Sequence, residues 1–139
     1  MTPLLHENLE KKFPVDAHDW IYLNNKVAIK IKELSALGYK IVIFTNQAGI
    51  QKGHTKEEDI KTKLANIAAA TEVEMQAFIA SHEDEYRKPG TKMWSVFTES
   101  YNEGIKPNMK ESFYCGDAAG RKDATHKDFS DADLYLFHI

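Results

Sequence analysis

The chain has 139 residues, enough for one domain with a real core and too few for two. Its 42% hydrophobic and 28% charged residues are ordinary for a soluble globule, and a net charge of −3 gives no overall pull towards nucleic acid. The single cysteine, Cys115, excludes an intrachain disulfide and fits a reducing compartment, and no run is long or apolar enough for a membrane span or a signal peptide, so an intracellular protein is expected.

In chain order, Thr2-Pro3-Leu4-Leu5 is too short for a strand assignment, and Phe13 to Trp20 is read as a loop punctuated by Pro14, Asp16 and Asp19. The two acids, spaced D-x-x-D with no apolar strand before them, are turn and helix-entry charges rather than a catalytic pair. Asn24 or Asn25 caps a helix running to about Leu37, with Val27, Ile31 and Leu34 on one face and Gly38 just past its end. Lys40 to Phe44 is an apolar, β-branched run that reads as a buried strand. It stops at Thr45-Asn46-Gln47, and Gly49 and Gly53 follow.

Thr55-Lys56-Glu57-Glu58 has the spacing of a capping box and opens a helix to about Ala70, with Ile60, Leu64 and Ile67 on one face. Gln76 to Ala80 is a second strand. It ends at Ser81-His82 and the acidic run Glu83-Asp84-Glu85, read as solvated loop, with His82 a surface residue rather than a metal ligand. Pro89 and Thr91 start a helix through about Tyr101, whose stripe of Met93, Trp94, Phe97 and Tyr101 is read as core. Asn102-Glu103-Gly104 ends it. Ser112 to Cys115 is a further strand, with Cys115 as a buried, inert thiol, and Leu134 to Ile139 is the last. Alternating helices and strands predict a parallel sheet with helices on both faces.

Three stretches carry the chemistry. A strand that ends in a hydroxyl, an amide and a glycine turn places polar groups where open α/β sheets bind ligands, and a hydroxyl with exposed backbone N–H groups suits phosphate. SFYCGDAAGR (112–121) repeats the pattern with an acid after the glycine, and Tyr86-Arg87-Lys88-Pro89 sets a lysine before a helix start. Thr45, Asp117 and Lys88 are thus candidates to meet around one phosphate and one metal ion. A nucleic-acid substrate would require lysines concentrated locally, and Lys52, Lys56, Lys88, Lys92, Arg121, Lys122 and Lys127 are the candidates, against a simple solvated lysine face.

VIFTNQAGI, YRKPGTKMW, YCGDAAGRK and KDFSDAD, with FPVDAHDW earlier, resemble the 3′-phosphatase domain of polynucleotide kinase 3′-phosphatase, in the haloacid dehalogenase-like superfamily. The resemblance covers roughly Lys12 to Asp133. It implies a Rossmannoid three-layer α/β/α fold around a parallel sheet. It also implies hydrolysis of a phosphate monoester at a DNA 3′ end in strand-break repair, with Mg²⁺ as cofactor and the nucleus as location. By matching motif, Thr45 donates its hydroxyl to the phosphate, helped by the Asn46 backbone, with Gln47 also in the phosphate-binding set. Lys88 pairs with the phosphate and the nucleophile, Asp117 ligates Mg²⁺ with Asp128 and Asp133 in support, and Arg121 holds acidic partners.

The family's opening strand, ending in Asp-x-Asp-Gly-Thr, is not found: no Asp occurs before Asp16, and only Glu7 and Glu10 stand there. Residues 1–139 are therefore expected to form a single phosphatase-like domain truncated at the N-terminus and also at the C-terminus, with its sheet incomplete at the first, central strand. Either the fold is wounded or Lys40–Phe44 pairs directly with Ser112–Cys115, and exposed strand edges favour self-association. Hydrolysis should be absent without the nucleophile. The alternatives are a non-catalytic protein that binds DNA ends or a partner, and a truncated gene product. No kinase P-loop is present, so no ATP chemistry is implied.

Overall fold

The computed structural model of the chain describes residues 4–5, 16–120, 122, 128 and 130–133. The elements are β1 (Leu4–Leu5), β2 (Ile21–Tyr22), α1 (Lys26–Ala36), β3 (Ile41–Asn46), α2 (Glu57–Thr71), β4 (Met75–Ala80) and α3 (Lys92–Val96), which runs on into a π-helical stretch, Phe97–Tyr101. β3 and β4 are hydrogen-bonded neighbours in a parallel two-stranded sheet with α2 as their crossover. β1 and β2 form a separate antiparallel pair with Leu4 opposite Tyr22 and Leu5 opposite Ile21. The described residues fall into two compact units. One holds those up to 43 with 49–77, and the other holds 44–48 with those from 78 onward.

In the first unit, α1 packs on α2. Asn24 Oδ1 accepts the Lys26 N–H at 2.9 Å, so the asparagine pair does open α1 as its sequence suggests. Val27 is buried, with Ile31 and Leu34 half-buried on the same face. The helix closes on Gly38 at φ +91, where the Gly38 N–H reaches Ser35 O and the Tyr39 N–H reaches Leu34 O, both at 3.0 Å. That pair of reversed bonds needs the left-handed region that glycine enters without penalty.

α2 departs from expectation at its start. Its N-cap is Lys56, extended and without a side-chain cap bond, so the Thr55 capping box does not form. The Thr55 N–H is instead taken by Gly49 O at 3.1 Å, which closes the preceding loop. Glu57, Glu58 and Asp59 in the first turn complement the helix dipole in its place. Ile60 and Ile67 are buried at 3% exposure. At the other end Thr71 is fully buried. Its hydroxyl donates to Ile67 O at 2.5 Å and therefore accepts from the Tyr22 phenol at 2.8 Å, which fastens β2 to α2. The β1–β2 pair itself is not legible as strands in the sequence. Asp16 does what the turn reading says: its Oδ1 accepts from the His18 N–H at 2.7 Å and the Asp19 N–H at 3.1 Å.

In the second unit, Phe44 stacks on Phe78 at 5.4 Å, and Phe97 meets both edge-on at 6.1 and 5.8 Å. Trp94 sits 5.6 Å from Phe97. Phe44, Met93 and Phe97 are buried, so the helical stripe is core as read, save that Tyr101 at its far end is 56% exposed. Burying rings of this size contributes about 1.5–3 kcal/mol each.

Three strand readings need correction. β3 extends two residues further, through Thr45 and Asn46, and of its side chains Phe44 alone is buried. Residues 112–116 form no strand, and Cys115, expected to be buried, is exposed. An apolar run becomes a strand only where a neighbour completes its ladder, and β3's neighbour in the sheet is β4, not Ser112–Cys115. The three-layer sheet reduces to two strands among the described residues. The strand expected at Leu134–Ile139 lies outside them.

Candidate functional site

The polar groups gather at the carboxyl end of β3. The Gln47 N–H donates to Ala80 O at 2.7 Å, so the ends of β3 and β4 stay together past the last strand residue. Gln47 Nε2 donates to Thr45 Oγ1 at 3.0 Å, leaving the threonine proton to point elsewhere. Asn46 turns its carboxamide to Lys88. Its Oδ1 accepts the Lys88 N–H at 2.9 Å and its Nδ2 donates to Lys88 O at 3.1 Å. One side chain thus imitates the two bonds of a strand neighbour and holds the lysine backbone against the sheet.

Lys88 reaches inward. Its ammonium lies 2.5 Å from Asp133 Oδ1 and donates to the Tyr114 hydroxyl at 2.8 Å, while that hydroxyl donates to the same Asp133 Oδ1 at 2.8 Å. The Lys88 and Asp133 side chains are 10% and 5% exposed, so this is a buried pair. Asp133 Oδ2 accepts the Ala118 N–H at 3.0 Å, and the Asp133 N–H returns to Ala118 O at 2.9 Å. Asp128 Oδ2 accepts the Ala119 N–H at 3.2 Å. Ala118 and Ala119 are therefore tied to Asp133 and Asp128 through the two acids, which makes Asp133 both a counter-ion and a loop anchor.

Burial raises the Asp133 pKa, but the hydrogen bonds from Lys88, the Ala118 N–H and Tyr114 outweigh it and hold the carboxyl below the usual carboxylate range. Burial and the Asp133 carboxylate, with Asp117 and Cys115 adding to it, push the Tyr114 phenol well above its ordinary value, so it stays a proton donor.

Of the residues picked out in the sequence, the structure joins Lys88 to Asp133 and to Asn46, and Thr45 to Gln47. Asp117 is half-buried between Gly116 and Ala118, close enough for its charge to be felt at Tyr114. Arg121 and Lys127 lie outside the described residues. Lys52 and Lys56 belong to the other unit and are exposed, and Lys122 is exposed. Lys92 pairs at the surface with Glu85 and lies 5.2 Å from the Tyr86 ring. His82 is exposed, its Nδ1 2.8 Å from Ser81 Oγ. Sequence reasoning passed over two participants, the Tyr114 hydroxyl and the Asn46 side chain. Tyr114 sits three residues before Asp117 in a run read for its apolar bulk, and a phenol there was the available signal.

Asp133 as placed is a poor magnesium ligand: one oxygen is held by an ammonium that would repel a cation and the other by the Ala118 N–H. Among the described residues no three acidic, His or Cys side chains converge on a point. What the arrangement offers is a fixed cation with a hydroxyl and amides nearby, which suits an anion.

Removing the Asn46 carboxamide tests the clamp. Asn46→Ala leaves both backbone groups of a half-buried Lys88 without their partner and should cost about 1–3 kcal/mol in urea unfolding. Asn46→Asp keeps the acceptor and should speed exchange of the Lys88 amide much less than Asn46→Ala does.

A family model described as polynucleotide kinase 3 phosphatase matches residues 2–138. The chain is 42% identical over 132 residues to a 20.8 kDa protein of the FGF-VUBI intergenic region of Autographa californica nuclear polyhedrosis virus, covering 94% of this chain and 70% of that protein. It is 36% identical over 134 residues to polynucleotide 3′-phosphatase ZDP of Arabidopsis thaliana, covering 86% of this chain and 19% of that one. It is 34% identical over 109 residues to the bifunctional polynucleotide phosphatase/kinase of Schizosaccharomyces pombe, covering 78% and 26%. The chain thus spans about a fifth and about a quarter of these two enzymes. Among the described residues no helix is long and apolar enough to cross a membrane.

Proposed function

The chain belongs to the polynucleotide kinase 3 phosphatase family, and from that premise we propose that it is a polynucleotide 3′-phosphatase-type unit whose ligand is the phosphate monoester at a DNA 3′ end. The single observation that supports this beyond family membership is the Lys88 ammonium. It is buried, oriented by Asp133 and Tyr114, and carried on a backbone that Asn46 fastens to the end of β3. In this reading Lys88 meets the phosphate charge, Thr45 donates its hydroxyl to a phosphate oxygen, and Asn46 and Gln47 shape the rim. Arg121 and the outer lysines track the nucleic acid, and strand-break repair in the nucleus is the setting. The three-layer α/β/α architecture of haloacid dehalogenase-like enzymes is part of the same proposal.

A second reading, that the unit binds 3′-phosphate ends without hydrolysing them, is favoured by one specific observation. Asp133, the acid beside the lysine, is engaged as its counter-ion. A carboxylate nucleophile must be free to attack phosphorus.

Both readings are tested with the chain as it stands and a pair of oligonucleotides, one 3′-phosphorylated and one 3′-hydroxyl. The 3′-phosphate should be bound at least about tenfold more tightly, the worth of one charge-assisted hydrogen bond; phosphate released in magnesium buffer supports the first reading, and tight binding without release supports the second. Equal binding of the two would sink the phosphate reading. Release that disappears in Asp117→Ala would establish hydrolysis and make Asp117 essential to it.

A further inference from the structure

We infer that Tyr114 is a positioning residue for Lys88: its hydroxyl closes a three-membered hydrogen-bonded ring with the ammonium and the Asp133 carboxylate and fixes where the remaining N–H of that ammonium points. That this direction serves a phosphate rests on the function proposed above; the positioning itself does not.

A lysine is a compact charge on a flexible four-carbon stem. A single bond to Asp133 Oδ1 fixes the distance of the ammonium but leaves it free to turn about the Nζ–Oδ1 axis. The second contact, to the Tyr114 hydroxyl at 2.8 Å, removes that freedom. The hydroxyl can serve both neighbours because it gives its one proton to Asp133 at 2.8 Å and accepts from Lys88 through a lone pair. A phenol that stays protonated keeps both roles at every working pH. The ring also contributes bulk, with the ammonium 5.4 Å from its centroid. Tyrosine has only two side-chain torsions and holds its tip at the end of a rigid ring, which suits it to this part. Two of the three ammonium N–H groups are then committed. The third is the donor that a phosphate oxygen would take.

The test is Tyr114→Phe in the full chain labelled with ¹⁵N-lysine. This change keeps the ring and removes the hydroxyl. In the unaltered chain the Lys88 ammonium should exchange its protons slowly and show a cross-peak that the exposed Lys26 and Lys110 lack. In Tyr114→Phe that exchange should quicken by about tenfold or more. Affinity for a 3′-phosphorylated dinucleotide should fall by about tenfold while affinity for the 3′-hydroxyl dinucleotide stays the same. An unchanged exchange rate in a folded Tyr114→Phe chain overturns the proposal. Should the variant not fold, the unaltered chain decides: a nuclear Overhauser contact between the Lys88 ammonium and the Tyr114 ring supports the ring of bonds, and its absence overturns it. Quickened exchange in a chain that does not distinguish the two dinucleotides upholds the positioning and removes the phosphate reading alone.

Discussion

Lys88→Met will destabilise the chain by about 3–5 kcal/mol, because it strands a carboxylate that is 5% exposed without its counter-ion. A domain is typically stable by only about 5–15 kcal/mol, so this is a large share of the total. Asp133→Asn should cost a similar amount, for it leaves the ammonium buried beside a neutral amide and weakens the hold on the Ala118 N–H. The informative result is the pair together. In Lys88→Met with Asp133→Asn neither charge remains to be desolvated, and the double variant should lose clearly less than the sum of the two single losses. Strict additivity in urea unfolding would mean that the two residues act separately. The pH dependence follows from the direction of the Asp133 shift. A carboxyl held below its ordinary value binds a proton more readily in the unfolded chain, so its contribution is complete above about pH 4, the ordinary aspartate range. It is lost as pH falls through the lower folded value. The acid decline in unfolding midpoint should therefore be steep in the natural chain and flatter in Lys88→Met.

How much of this was legible beforehand differs by the kind of information required. α1, α2 and β4 announce themselves because hydrophobic period is local: Val27, Ile31 and Leu34 sit on one helical face whatever surrounds them. Gly38 marks the end of α1 for the same reason. The capping box at Thr55 misled because the motif records a local option, and closure of the loop on Gly49 takes the Thr55 amide for another purpose. Ser112–Cys115 misled because a strand is defined by its neighbour, and nothing in FYC says whether one is present. At the site, each of Asn46, Lys88 and Asp133 could be picked out singly from its motif. Their partnership could not be, since Asn46 lies 42 residues from Lys88 and Lys88 lies 45 from Asp133. The roles shifted accordingly: Asp133, read as a metal-side acid, is the lysine's counter-ion, and Asn46 acts through its side chain. Tyr114 was hidden by its own amphipathic nature, since a phenol in an apolar run looks like core until its hydroxyl is placed.

Gly116→Ala will be as damaging as removing the Asp133 carboxylate, although it adds only a methyl group. A Cβ at position 116 would come within 2.5 Å of Asp133 Cγ and 2.7 Å of Asp133 Cβ, and closer still to Oδ2. Cβ is rooted in the backbone, so the clash cannot be relieved by moving a flexible tip. Turning the carboxylate away would break its bonds to Lys88, Tyr114 and the Ala118 N–H together. Moving the backbone would part Ala118 from Asp133. Either way the Lys88 ammonium loses its anchor, and a loss of about 3 kcal/mol or more is expected from overpacking and pair rupture combined. The cause can be separated from a general intolerance of side chains at 116. Asp133→Gly removes Cβ, Cγ and Oδ2 together, so Gly116→Ala added to Asp133→Gly should cost less than half of what it costs in the natural chain. An osmolyte such as trimethylamine N-oxide would keep both backgrounds folded enough to compare. Equal cost in the two would place the strain in the backbone at 116. A much smaller cost beside Asp133→Gly would show that Gly116 is glycine because the counter-ion of Lys88 lies against it.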